Sequence, residues 1–386
     1  MYKKILSFGE DDFHGYHSDM CFALFKTVAT CQKTDIVGAL GETSLIRLAA
    51  ILISILIGFE NSNQAFAFYF TPEQRCSTID LRNDFSLQMR NQGDLSWCYA
   101  HASADYLQYI HRIPVQISAA DIATHYNQRR WPRLVRWLIG GRVPETGFAR
   151  SAMYDIYEIG YCPETHFPSE VWTKRILNGA QAGTVQTVSI KTGIEELHRL
   201  AEGVSQGFYR NASDFPYAFE FQGMTQQEFI EAVMVNPENV LNEVRSAACD
   251  RYRIPFAMVP NEIQMEFKGK NTFAQINRVL ERRQPLTIDF FYGFLENAND
   301  YAYSISDLHT TLLMGRRYDA NTGECQYLIK NSYGTSCQEY DRRHHCENGY
   351  VWVNELSLYG AMTSFVYAGS MQDQFNGTGQ QNQDVR

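Results

Sequence analysis

Between residues 98 and 280 the apolar positions recur mostly at helical spacing, and beyond Pro285 they gather into short runs of the kind that form strands. Cys98 to Ile113 contains no Gly or Pro, is rich in Ala and Tyr, and stops at Pro114. It predicts a helix with Ser96 as its N-cap. A second helix is expected from Ser118, where Ser118 and Asp121 suit the positive end of the dipole. A third is expected over Thr146 to Ile159, with Met153, Ile156 and Tyr157 on one face and Gly160 closing it. Further on, Ile194 to Val204 has Leu197 and Leu200 at helical spacing. Thr225-Gln226-Gln227-Glu228 is a capping-box pattern ahead of Phe229, Ile230 and Val233. Pro237 breaks that run and Asn239 to Ala248 resumes it, whereas Tyr217 to Gln222 reads as loop. Phe273, Ile276 and Leu280 mark a short amphipathic helix. Strands are then expected at 286–291, 309–316, 325–331 and 349–353. The tail from residue 370, rich in Gln, Asn and Asp, has no apolar period and is expected to be disordered.

An uncharged run, Leu48 to Phe59, lies upstream, with Arg47 before it and Ala65-Phe66-Ala67 after it. Its twelve residues fit the core of a secretory signal and fall short of the roughly 20 that span a bilayer. Cleavage is expected after Ala67. Residues 1–46 hold Glu10, Asp11, Asp12 and Asp35, which do not suit the start of a signal. That points to a translation start downstream of Met1, the alternative being an uncleaved signal that anchors the protein in the membrane. Export to a secreted or periplasmic location agrees with the cysteines. Seven follow Ala67, and setting aside one reactive thiol leaves six for three bridges. Six cysteines allow 15 pairings. Cys337 and Cys346, flanking a short polar loop, are the easiest pair to join.

The chain of 386 residues is 45% apolar and 20% charged, enough for one large core or two modest ones. A net charge of −9 argues against a general nucleic-acid binder. One dense basic patch, Arg129-Arg130-Trp131-Pro132-Arg133 through Arg136-Trp137, suits either a solvated helix face anchored by Trp or a surface for acidic partners.

Candidate chemistry centres on Asn91-Gln92-Gly93-Asp94-Leu95-Ser96-Trp97-Cys98. Cys98 falls in the first turn of its helix, where orphan N–H groups and the dipole favour a thiolate. Gln92 offers a side-chain amide to an oxyanion. His309 opens the apolar run Thr310-Thr311-Leu312-Leu313, and Asn331 ends the run Tyr327-Leu328-Ile329-Lys330. An imidazole from the first and an amide oxygen from the second complete a nucleophile, base and orienting group. Cys337, His344, His345 and Cys346 offer zinc ligands, but adjacent histidines cannot readily both point inward, and an oxidising compartment favours a bridge.

In that order, Gln-Gly-x-x-x-x-Cys, a His before a β-run and Lys330-Asn331-Ser332-Tyr333-Gly334 resemble the papain family of cysteine peptidases. Ile79-Asp80-Leu81-Arg82, Ile117-Ser118-Ala119-Ala120-Asp121-Ile122, Gly140-Gly141 and Gly349-Tyr350 are similar to further family segments. The resemblance covers roughly residues 76–168 and 272–368. It implies catalysis by Cys98, His309, Asn331 and Gln92, substrate contact at Gly140 and Gly141, and a two-lobed α+β fold. Cys98 and His309 lie 211 residues apart, roughly 60–80 more than the family spacing. The nucleophile is Trp97-Cys98-Tyr99 rather than Cys-Trp, Leu95 stands where the family has a half-cystine, and Tyr333 replaces a Trp that shields the Asn.

The expected organisation is an extension with signal over 1–67, a helical lobe with Cys98 over 68–169, and a mainly helical insert over 170–270. An antiparallel β lobe carrying His309 and Asn331 follows over 271–369, then a disordered tail over 370–386. The expected function is an exported cysteine endopeptidase acting on protein or peptide substrates. No cofactor, metal or nucleic acid is expected, nor a stable membrane span after cleavage; the oligomeric state is left open. An amidase or transpeptidase on peptidoglycan or isopeptide bonds, and an inactive binding module on the same scaffold, are the alternatives.

Overall fold

Residues 308–319 form one long strand, β7 (Leu308–Asp319), and the β lobe is built outward from it. The structure is a computed structural model that describes residues 76–130, 147–221, 223–297 and 307–369. The chain divides into Met1–Phe70 and Thr71–Arg386, and every described residue belongs to the second unit. The signal run with its cleavage point after Ala67, the pair Gly140 and Gly141, the basic patch beyond Arg130 and the tail from residue 370 lie outside the described residues.

The other strands of the lobe are β1 (Ile79–Asp80), β5 (Ile263–Phe267), β6 (Leu286–Phe291), β8 (Glu324–Lys330), β9 (His345–Glu347), β10 (Tyr350–Asn354) and β11 (Met362–Ala368). Their order is β5-β11-β6-β7-β8-β10-β9, with β1 laid against β7, and every pairing is antiparallel. Leu286 to Phe290 is buried without alternation, because helices cover one face and the lobe's own core the other. Between Leu313 and Gly315 the register with β8 shifts by one residue, a bulge that bends β7. Gly315 is required there, since a Cβ would stand 2.5 Å from the Ile79 carbonyl oxygen.

The helical lobe holds α1 (Cys98–Ile110), α2 (Ala119–Arg130) and α3 (Ala149–Ile159). Every residue of α1 from Cys98 to Tyr109 is buried, so it is a central helix lying between the other helices and the sheet. It ends three residues before the expected Ile113, where Arg112 turns to φ 52°. Ser96 is not its N-cap. Trp97 takes that position and makes no side-chain cap bond, since a cap must immediately precede the first helical residue. Ser118 does cap α2, its hydroxyl accepting from the Asp121 N–H at 3.0 Å.

The stretch 170–270 departs from its expected helical character. It contains α4 (Ile190–Ser205), α5 (Gln226–Val235) and α6 (Val240–Cys249), but also a three-stranded sheet in the order β3-β2-β4. These strands are β2 (Val171–Ile176), β3 (Val185–Ser189) and β4 (Tyr217–Glu220). Tyr217 to Glu220, read as loop, is a strand because Tyr217 and Phe219 pack among Trp172, Phe221 and Phe229. The capping box forms as expected, with Glu228 accepting from the Thr225 N–H at 2.7 Å and Thr225 Oγ1 from the Glu228 N–H at 3.2 Å. Strand β5, at the far end of the stretch, leaves it and joins the main sheet beside β11. Two later helices, α7 (Thr272–Glu281) and α8 (Glu355–Ala361), pack on that sheet, with a single helical turn at Gly293–Glu296 between them in the chain.

Three disulfides form, Cys76–Cys325, Cys162–Cys249 and Cys337–Cys346, and Cys98 is the one free cysteine among the described residues. The pair Cys337–Cys346 is the one expected from the short loop. Among the described residues no helix is long and apolar enough to cross a membrane.

The Cys162–Cys249 bridge staples the insert to the helical lobe, and buried charge reinforces it. Asp121, wholly buried in the first turn of α2, accepts from Arg253 at 2.8 and 3.0 Å and from Arg245 at 3.5 Å. Removing one partner of a buried ion pair leaves the other charge uncompensated. Asp121→Ala is therefore expected to lower stability by about 3 kcal/mol, read from the shift in the urea unfolding midpoint. A loss below about 1 kcal/mol, the range of a surface pair, would show that this cluster does not hold the insert.

Candidate active site

Four segments converge where α1 meets the sheet. Cys98 begins α1, His309 is the second residue of β7, Asn331 follows the last residue of β8, and Gln92 lies in the turn leading to α1. The turn is held against the Asn331 segment by backbone bonds. The Gln92 N–H donates to the Ser332 carbonyl at 2.8 Å, Gly334 N–H to the Arg90 carbonyl at 2.8 Å, and Asn91 bridges Tyr333. The register of β6 on β7 sets Phe290 beside His309 and Asp289 beside Thr310.

The imidazole is fixed by Asn331. His309 Nε2 lies 2.8 Å from Asn331 Oδ1, which also accepts from the Ser332 N–H at 2.8 Å. The Asn331 amide nitrogen donates to the Tyr340 hydroxyl at 2.9 Å. With the amide so oriented, Oδ1 is an acceptor and His309 must carry its proton on Nε2. Nδ1 is then the basic nitrogen. Tyr333 stacks on the imidazole at a centroid distance of 5.3 Å and an interplanar angle of 10°, and Phe290 and Tyr292 meet it edge-on. Tyr333, the residue standing for a shielding Trp, thus covers a face of the histidine ring.

The thiol of Cys98 packs against the Thr310 backbone N–H and hydroxyl, one residue past His309, and against the Tyr99 N–H of its own helix. Burial pushes this thiol up to about 11, with the Asp289 charge adding to the rise and these donors opposing it. Burial also pulls His309 down to about 4, against the bond from Asn331. The helix tip was expected to lower the cysteine, but taking a thiolate out of water outweighs the first-turn dipole. Burial thus favours the neutral thiol at Cys98 and the neutral imidazole at His309.

Gln92 is buried and anchored at both ends. Its amide nitrogen donates to the Leu95 carbonyl at 2.7 Å, and its amide oxygen accepts from the Ser332 hydroxyl. An amide nitrogen carries two protons, so one remains for an oxyanion. Cys98 adds its backbone N–H, which as a first-turn donor has no helical partner. Gly140 and Gly141 lie outside the described residues. Of the alternative zinc ligands, Cys337 and Cys346 are bridged, and His344 Nε2 lies 2.9 Å from the Phe294 carbonyl oxygen.

The sequence reading missed Thr310, Ser332, Tyr340 and Asp289. Asp289 accepts from the Thr310 and Ser364 hydroxyls at 2.6 Å each, and burial raises its pKa. An acid inside the apolar run Leu286 to Phe291 was the available signal for it. Tyr340 sits in a polar loop and offered none.

No family model matches the chain, and no curated protein matches it. Solved structures do. A structure from work on the mite allergens Blo t 1 and Der p 1 is similar, at 13% identity and a TM-score of 0.42, over 80% of this chain and 74% of that one. Digestive procathepsin L 3 from the larval midgut of Tenebrio molitor is similar at 12% identity and a TM-score of 0.41, over 78% and 73%. The bromelain protease of Ananas comosus in complex with the E64 inhibitor is similar at 15% identity and a TM-score of 0.37, over 75% and 96%. At these identities and scores none of them fixes an activity for this chain.

The proton positions give a pH signature. Alkylation of Cys98 by iodoacetamide is expected to rise as His309 loses its proton near pH 4, because only the neutral ring takes the thiol proton. The rate should then stay flat across neutrality and rise again toward pH 11, as free thiolate forms. His309→Ala should abolish the lower limb. A single rise near the ordinary thiol value of about 8.5 would mean that the two groups do not cooperate.

Proposed function

We propose that this protein is an exported papain-like cysteine endopeptidase using Cys98, His309, Asn331 and Gln92. The observation that carries the reading is the orientation of His309. Asn331, held by Ser332 and Tyr340, keeps Nε2 protonated and so turns basic Nδ1 into the acceptor for a neighbouring thiol. The free cysteine at the start of a buried helix is the thiol available to it.

The chemistry follows from those positions. As a peptide carbonyl approaches, His309 Nδ1 takes the Cys98 proton and the sulfur attacks the carbonyl carbon. The oxyanion is met by the Cys98 backbone N–H and the remaining Gln92 amide proton. His309 returns the proton to the amine as the C–N bond breaks, leaving a thioester. A water, deprotonated by the same nitrogen, then releases the acid and restores the thiol. Asn331 holds the Nε2 proton and orients the ring without the charge that a carboxylate would bring. The three disulfides support export to an oxidising compartment.

An epoxide inactivator that alkylates thiol peptidases is expected to modify Cys98 and to abolish cleavage of denatured protein, and Cys98→Ala should be inert. Gln92→Ala should lower kcat by about 10²–10³-fold, the usual effect of losing one oxyanion donor. Cleavage-site profiling of wild type against Cys98→Ala reads the result. Transfer of the acyl group to an added amine in preference to water would replace the peptidase by a transpeptidase. Absence of both labelling and cleavage would leave a binding module.

A further inference from the structure

Behind the site lies a group of charges that the chemistry above does not use. Asp105, two turns along α1 from Cys98, is buried, and Arg90 Nε donates to its Oδ1 at 2.7 Å. Its Oδ2 accepts from Lys330 Nζ, also buried. Arg90 immediately precedes the Asn91-Gln92 turn, and Lys330 immediately precedes Asn331. One carboxylate on the nucleophile's helix therefore holds a cation from each of the two segments that carry the other polar groups of the site.

We propose that Asp105 is a positioning residue of the active site, fixing Gln92 and Asn331 relative to Cys98 through Arg90 and Lys330. The inference rests on the peptidase reading for its reaction but not for its geometry. Lys330 ends β8, so a shift at its ammonium passes directly to Asn331, and from there through the 2.8 Å bond to His309. Arg90 has less freedom still, because its carbonyl already accepts from Gly334 at 2.8 Å and its Nη1 lies 3.7 Å from Glu164.

The surroundings leave Asp105 as the charge that organises the cluster. Burial would raise its pKa, but Lys330 and Arg90 together hold it below the usual carboxylate range. Burial pulls Lys330 the other way, toward the neutral amine, with Arg90 adding to the fall and Asp105 opposing it. Burial lifts Glu164 to about 7, against Arg90 and the Ser169 donors, so it is a weak second anion at neutral pH. His101, one turn from Cys98, is pulled to about 3 by burial and by Arg90, and adds no charge. No other carboxylate makes a direct bond to Lys330 among the described residues.

The test is Asp105→Asn, which keeps the shape and removes the charge, with Lys330→Met as the second variant should the first not fold. The readout is iodoacetamide alkylation of Cys98 across pH, which needs no substrate, beside peptide cleavage. In folded variants the limb near pH 4 should flatten and the neutral-pH rate should fall by about 10²-fold, the size of effect that a misplacement of about 1 Å produces. Asp105→Glu should recover part of the rate, and Asp121→Asn, remote from the site, should leave the profile unchanged. A variant that only melts earlier, with alkylation following the wild-type curve, would overturn the positioning role. A wild type that cleaves no peptide while Asp105→Asn still loses the limb would remove the peptidase reading and leave the positioning role standing.

Discussion

A carboxylate shared between two buried cations is the constraint on which the arrangement of the two lobes turns. Asp105 sits on α1 in the helical lobe, and Lys330 ends a strand of the β lobe. Ions removed from water are stable only where their partners are close and complete, so the lobes cannot slide apart here without stranding a charge. Apolar packing between α1 and the sheet would tolerate several registers of similar energy. A buried ion pair tolerates one, which is the better-attested use of buried charge. The separation of Cys98 from Asn331 is fixed by that choice of register, and the bond from His309 to Asn331 depends on it in turn.

The same burial decides the protonation state of the site. A helix N-terminus stabilises an anion by about 0.3–1 kcal/mol at an exposed position, and somewhat more when partly buried. Desolvation of a thiolate works in the opposite direction and is the larger effect at Cys98. For His309 the two influences are also unequal, since Asn331 is neutral and offsets only part of the penalty on an imidazolium. Burial therefore favours the uncharged form of both groups. In the proposed mechanism, a proton passed from sulfur to Nδ1 would create both charges together, and their attraction would offset part of the desolvation cost that each meets alone.

Much of this was legible in the sequence, for reasons that differ by residue. The helix from Cys98 and the strand from His309 announce themselves by period, and Gln92, His309 and Asn331 by their order along the chain. The boundaries were less secure. Ser96 has the right chemistry for an N-cap one position too early, and the propensity of a side chain carries no information on which residue begins the helix. Strand β4 was missed because four residues are too few to show a period, and its stability comes from aromatic neighbours distant in sequence. Thr310 and Asp289 were missed for a related reason. Each lies in an apolar run whose pattern speaks for burial, while their bonds to one another depend on the β6–β7 register. Asp105 reads as an ordinary polar position on a helix until Arg90 and Lys330 are seen to close on it.

The covalent ties follow a division that the ionic ones complete. Cys76 falls in the stretch expected for the helical lobe, but β1 just after it pairs with β7, so Cys76–Cys325, like Cys337–Cys346, lies within the β lobe, and Cys162–Cys249 joins the helical lobe to the insert. They span 249, 9 and 87 residues, so in the chain-entropy account the first constrains the unfolded chain most. None of the three crosses from the helical lobe to the β lobe. That boundary is held instead by apolar packing and by polar contacts: Asp105 with Lys330, Arg150 Nε to the Ile263 carbonyl at 3.0 Å, and the Ile263 N–H to the Tyr154 hydroxyl at 3.1 Å. The candidate site draws residues from both sides of that seam, so its geometry rests on ion pairs and hydrogen bonds that fix the register without a covalent tie.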